Sequence, residues 1–133
     1  MTPLALLRLS LMGRVDEAAE VERQRHLSPG AAMALVYQEK FAQAQAVMGL
    51  GADAAGRLTA AQMASQFPTL TASVGIEAPT LYECASIVLR RYAEFAQRTL
   101  AIERTRLTAK RAISAASTAA AAMAAFAAVT WTT

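Results

Sequence analysis

Cysteine is nearly absent from this sequence: Cys84 is the only one in 133 residues. That excludes an intrachain disulfide and any zinc site built on cysteine, and it fits assembly in a reducing compartment. Cys84 lies beside the apolar stripe of a long helical run, where it reads as a small buried hydrophobe rather than a nucleophile. Histidine is as scarce. His26, at the end of a charged helix, is expected to be a surface residue with satisfied hydrogen bonds and not a ligand or base. Aromatic residues make up only 6 %, so there are few large anchors for a deep core. The hydrophobic fraction is 55 %, but much of it is alanine, which favours closely packed helices and a core completed by a partner. No charge sign dominates. Thirteen basic residues are interleaved with ten acidic ones for a net charge of +3, so no specific nucleic-acid binding is expected.

Catalytic motifs are missing too: there is no GxSxG, Walker A, HExxH, GxGxxG or paired-cysteine spacing. The glycine-bearing segment GLGADAAGR has no strand before it to aim it at a phosphate and reads as a loop. The expectation is a protein without enzymatic activity or cofactor. The start, MTPLALLRLSLMG, lacks the basic n-region of a signal peptide, and Arg8 interrupts its short apolar stretch. The run from Ala112 to Val129 has the length of a marginal membrane span. It is mostly alanine and serine, however, which are too weakly apolar to favour insertion. Both ends therefore read as protein-contact segments, with no membrane span.

What is present in abundance is helix. From Leu81 to about Ala116 nothing breaks the chain, and Leu81, Ala85, Val88, Tyr92, Phe95, Thr99 and Ile102 recur at alternating steps of four and three. That spacing lines one face of an α-helix. At 1.5 Å per residue the helix would be about 50 Å long. Leu89, Leu100 and Leu107 make a second apolar line on the same helical wheel.

The remaining segments also read as helices. The first runs from Leu4 to Leu27 with a break at Gly13. The second is opened by Ser28 and Pro29 and runs to Met48. A short one spans Thr59 to Gln66, and Pro68 opens another turn with Gly75 as its C-cap. Pro79 starts the long helix, and Thr118 caps a last short one. Trp131 falls in VTWTT, an extended tail. The fold class is all-α: a small helical domain built on one long C-terminal helix with shorter helices packed along it. Its segments are 1–15, an apolar N-terminal stretch; 16–75, short helices; 76–117, the long helix; and 118–133, a short helix and tail.

One polar group asks for a reason. Arg106 continues the first apolar line, while Glu103 and Lys110 lie between the two lines. Charges so placed face the core or a partner. One reading is a structural Glu103–Arg106 pair with snorkelling stems; the other docks Arg106 and Lys110 onto carboxylates or carbonyls of another chain. Arg90, Arg91, Glu94, Arg98, Arg104 and Arg111 read as a solvated face. Tyr37, Tyr92, Phe95 and Trp131 are the candidate interface anchors, although Trp131 is expected to fold back onto its own chain.

Three segments, in order, carry a resemblance. RQRHLSPGAAMALVYQEKFAQAQA is similar to a pattern of an arginine-rich helix end, Thr-Pro-Gly, then VY-x-x-K-x-x-E-A. FPTLTASVGIEAPTL is similar to Tyr-Pro-Leu-Leu, Val-Gly-Ile, Thr-Leu. AIERTRLTAKRAISAAST with the terminal VTW is similar to IE-x-x-RL-x-AK-x-x-I-x-AA-x-T and a closing tryptophan. Together they resemble a family of small helical proteins encoded in the tail and tail-fibre modules of tailed bacteriophages. Met33 stands where that family usually has glutamine, and Gln43 where it often has glutamate. Ser28 replaces threonine and keeps the cap.

The resemblance implies a non-enzymatic virion structural protein, a tail or tail-fibre accessory or attachment protein working with phage tail, fibre or neck proteins and assembled in the host cytoplasm. The alanine-lined helix faces suit a homo-oligomer, a trimer before other states. Other readings are a fibre-assembly chaperone absent from the mature particle, a capsid decoration protein and a small membrane-active phage protein.

Overall fold

Thr2 opens the first helix: its side-chain oxygen accepts from the Ala5 backbone N–H, and Pro3 occupies the first turn, where a missing N–H costs nothing. The computed structural model describes residues 1–26 and 31–131, apart from the side chains of Ala31 and Ala32. It contains α1 (Pro3–Gln24), α2 (Ala31–Leu50), α3 (Ala52–Gly56), α4 (Ala60–Gln66), α5 (Pro68–Thr71), α6 (Leu81–Ala115) and α7 (Ala119–Ala127). The fold is all-α. Among the described residues the only β pairing is an isolated Val74–Ala78 bridge. The cap expected at Ser28 and Pro29 lies outside the described residues.

Several elements match the reading of the sequence. α6 is one unbroken helix, capped by the Thr80 hydroxyl, which accepts from the Glu83 N–H. Thr118 caps α7 by accepting from the Ala121 N–H. Thr59 and Gln62 form a reciprocal capping box at α4, each side chain accepting from the other's backbone N–H.

Others are corrected. Gly13 does not break α1. A mid-helix glycine costs about 1 kcal/mol relative to alanine, less than burial of Leu11 and Val15 in the same helix returns. α1 also stops at Gln24, short of Leu27. GLGADAAGR is not a loop throughout, since Ala52–Gly56 is helical. Gly51, at φ 87°, redirects the chain, and Asp53 sits in the first turn, where a carboxylate favours the helix dipole. Gly75 is not a C-cap: α5 ends at Thr71, and Gly75, at φ 83°, shapes the following turn. The long helix starts at Leu81, two residues after Pro79.

The chain forms two compact units. The central unit comprises Ser28–Phe95; the terminal unit comprises Met1–Leu27 and Ala96–Thr133. In the central unit Ala44 and Val47 of α2 pack with Ala55, Phe67, Leu70, Leu81, Cys84 and Ala85. Cys84 is buried there as expected; burial raises its thiol pKa, which makes it a poor nucleophile. In the terminal unit Leu11 and Val15 of α1 pack against Ala109 and Ile113 of α6, with Ala116 and Ala122. Trp131 folds back against that core. Both chain ends thus contribute buried or half-buried side chains to their own unit. The second apolar line of α6 is not covered at its C-terminal end: Leu100 is 52 % exposed and Leu107 53 %.

Candidate functional site

Glu103, Arg106 and Lys110 are spaced i, i+3 and i+7, which puts them on one side of α6. α1 faces them with Asp16 and Arg23. The Arg106 guanidinium forks onto Glu103: Nε donates to Oε2 at 2.9 Å and one terminal nitrogen to Oε1 at 2.7 Å. Its other terminal nitrogen donates to Asp16 Oδ1 at 2.9 Å. Lys110 Nζ donates to Asp16 Oδ2 at 2.9 Å. Arg23 donates to Glu103 Oε2 at 2.7 Å and lies 3.5 Å from Glu20. The order Lys110, Asp16, Arg106, Glu103, Arg23, Glu20 alternates in sign from end to end.

Each of the two central carboxylates accepts from two cations. Hydrogen bonds from Lys110 and then Arg106 hold the Asp16 carboxyl below its ordinary pKa. The bond from Arg106 does the same for Glu103. The reciprocal bonds to Glu103 and Asp16 raise the pKa of Arg106. The groups remain partly wet, with side-chain exposures of 23 % for Arg106 and 44 % for Asp16, so water screens each pair and the value lies in the network. Chemically it is a clasp between α1 and α6. Its acceptors for Arg106 and Lys110 are both inside the chain.

Two further contacts tighten the same unit. Arg8 of α1 donates from Nε and a terminal nitrogen to the Ala116 carbonyl, just past the end of α6. A cation there answers the negative end of the helix dipole. Arg14 lies over the Phe126 ring of α7, 4.9 Å from its centroid. Arg8 had one sequence signal, a charge interrupting an apolar stretch; the partner of Arg14 had none.

The candidate anchors are placed separately. Tyr92 stacks on Phe41 at 3.9 Å between centroids and remains half exposed. Tyr37 is also half exposed, and Phe95 is half-buried. In the same central unit, Gln43 of α2 accepts from the Leu70 N–H at 2.9 Å, and Glu39 from the Thr69 hydroxyl at 3.1 Å. Both bonds meet the start of α5, whose first N–H groups have no intrahelical partner. His26 differs from expectation: it is half-buried, and its Nε2 has no hydrogen-bond partner among the described residues.

Among the described residues no helix is long and apolar enough to cross a membrane. Against models of protein families, curated proteins and solved structures, the chain has no match.

Proposed function

We propose that this chain is a non-enzymatic structural protein of a tailed-phage virion that docks through its helices to tail, fibre or neck proteins and associates with copies of itself. The observation that carries the docking part is apolar side chains left uncovered on regular helices. Met33, Leu35 and Val36 follow almost consecutively in α2, and all are exposed. A helix that is apolar all round is normally buried, and a contiguous exposed apolar patch normally marks an interaction surface. Leu100 and Leu107 on α6 extend the same property to the terminal unit. The phage assignment rests on the three ordered segments similar to tail-module proteins.

The same α2 surface also favours a second reading, a fibre-assembly chaperone that holds an unassembled partner. Mass spectrometry of purified virions separates the two. A structural component is recovered in fixed ratio to the fibre protein, and a chaperone is absent or far below it. A purified chain that binds no virion component and forms no oligomer would remove both readings.

A further inference from the structure

Ile76 is 84 % exposed, more than any other large hydrophobic side chain described. It does not sit on a loose loop. The Ser73 carbonyl accepts from the N–H groups of Ile76 and Glu77 at 3.1 and 2.9 Å, and the Gly75 N–H donates to the Ala78 carbonyl at 2.7 Å. Gly75 takes the left-handed conformation this turn needs, at φ 83°. A tight turn of the central unit therefore holds an aliphatic knob out in water, with its backbone already fixed. Ordering such a residue on binding costs little, so its burial is available for affinity.

The terminal unit carries a matching recess. Val15, Ala18, Phe126, Ala127, Val129 and Trp131 line an open pocket of about 230 Å³. That is smaller than the roughly 300–1,000 Å³ typical of small-molecule sites and suits one branched aliphatic side chain. Charge adds direction. Arg14 lies over Phe126, one of the lining rings, and has no carboxylate partner among the described residues. Glu77 follows the knob directly, and its ion pairs to Arg91 and Lys40 are long, 3.4 and 3.9 Å. A carboxylate so loosely held can accept a further cation.

We infer that copies of this chain associate head to tail, Ile76 of one copy filling the apolar pocket of the next and Glu77 meeting that copy's Arg14. Because knob and pocket are different surfaces, the contact is heterologous and generates a ring or an open chain rather than a two-fold dimer. The inference rests on the self-association in the proposed function and not on the virion. Its failure leaves virion mass spectrometry unaffected, and absence from virions leaves the contact intact.

The test is sedimentation of the full chain with two complementary variants, Ile76→Asp on the knob and Ala18→Phe in the pocket. The wild type is expected to associate with rising concentration, and each variant to be monomeric with an unchanged helical circular-dichroism spectrum. Mixed in equal amounts, the variants should form a one-to-one dimer, since one intact knob and one intact pocket remain. Trp131 is the sole tryptophan and lines the pocket, so its emission should shift to the blue on association of the wild type and not of Ile76→Asp. If Ala18→Phe fails to fold, Ala127→Phe replaces it. A wild type that stays monomeric at about 100 μM, well above the dissociation constant expected of a specific contact, would overturn the proposal. So would Ile76→Asp associating like the wild type, or variants that fail to recombine.

Discussion

Arg106 and Asp16 lie 90 positions apart in the chain and are joined by a 2.9 Å hydrogen bond. The same Asp16 also holds Lys110, and the same Arg106 also holds Glu103. Replacing Arg106 therefore strips one partner from each of two carboxylates at once. Arg106→Leu should lower the thermal midpoint by a few degrees at low salt, and the deficit should shrink in 1 M NaCl, where exposed charges are screened. Equal midpoints for variant and wild type at low salt would mean that the network is a solvated surface feature with no hold on α1.

Acid should release the same clasp, and the sign follows from the two carboxyls. Both Asp16 and Glu103 have pKa values lowered in the folded chain. Their contribution is thus fully present above the unfolded values, about 3.9 for Asp and 4.3 for Glu. It is lost as pH falls through the depressed folded values. Asp16→Asn removes one of these groups. The variant should be less stable than the wild type at pH 7, and the gap should close as the pH falls below about 4. Thermal melts across that range measure it, and a gap independent of pH would show that Asp16 acts through packing alone.

The half of this site on one helix was legible in the sequence, because i, i+3 and i+7 spacing is a property of the helix itself. The other half was not. Nothing local to Asp16 or Arg106 says that α1 and α6 bring them together. The same boundary runs through the fold. The unbroken run of α6 from Leu81 and the Thr118 cap follow from local spacing and capping chemistry, and both match the structure. Gly13 and GLGADAAGR depart from the expectation because glycine breaks a helix only where packing and neighbouring propensity do not outweigh it. Packing of Leu11 and Val15 carries α1 through the first, and in the second three alanines, with Asp53 placed favourably in the first turn, outweigh the glycines. The return of Trp131 to the core was expected from its terminal position, but the pocket it lines exists only once α1 and α7 have packed.

Arg8 supplies a cation to the Ala116 carbonyl beyond the last turn of α6. Arg8→Met keeps an apolar stem over the same surface and removes the donor. Hydrogen bonds to charged groups contribute about 1.5–3 kcal/mol, and partial exposure places this one near the lower end. Urea unfolding should show a loss of about 1.5 kcal/mol, with an unchanged slope. A loss also seen in Arg8→Lys, at full size, would point to the forked geometry of the guanidinium rather than to its charge.

Gln43 tests whether α2 orders the short helix beside it. Its side chain accepts from the Leu70 N–H, and Leu70 is fully buried. Gln43→Ala leaves that donor unpaired, which should cost about 1–3 kcal/mol in chemical denaturation. Gln43→Glu retains an acceptor and adds a negative charge at the start of α5, so it should keep most of the stability. If the alanine and glutamate variants fall equally, the acceptor role is wrong and side-chain volume is what matters at this position.

Gly13 and Gly75 should respond to the same substitution with opposite signs. Gly13 lies within α1, and a Cβ built there meets nothing within 4 Å. Alanine removes backbone freedom from the unfolded chain and fits the helix, so Gly13→Ala should stabilise by up to about 1 kcal/mol. Gly75 has equally open surroundings but holds φ at 83°, a region that costs a Cβ-bearing residue roughly 1–2 kcal/mol. Gly75→Ala should therefore destabilise, and it should do so through backbone strain, since there is no contact to clash with. Because the same turn presents Ile76, that variant should also weaken any self-association that depends on the knob. A Gly75→Ala protein as stable as the wild type, set beside a stabilised Gly13→Ala, would mean that the turn relaxes without cost and that its conformation is not what holds Ile76 outward.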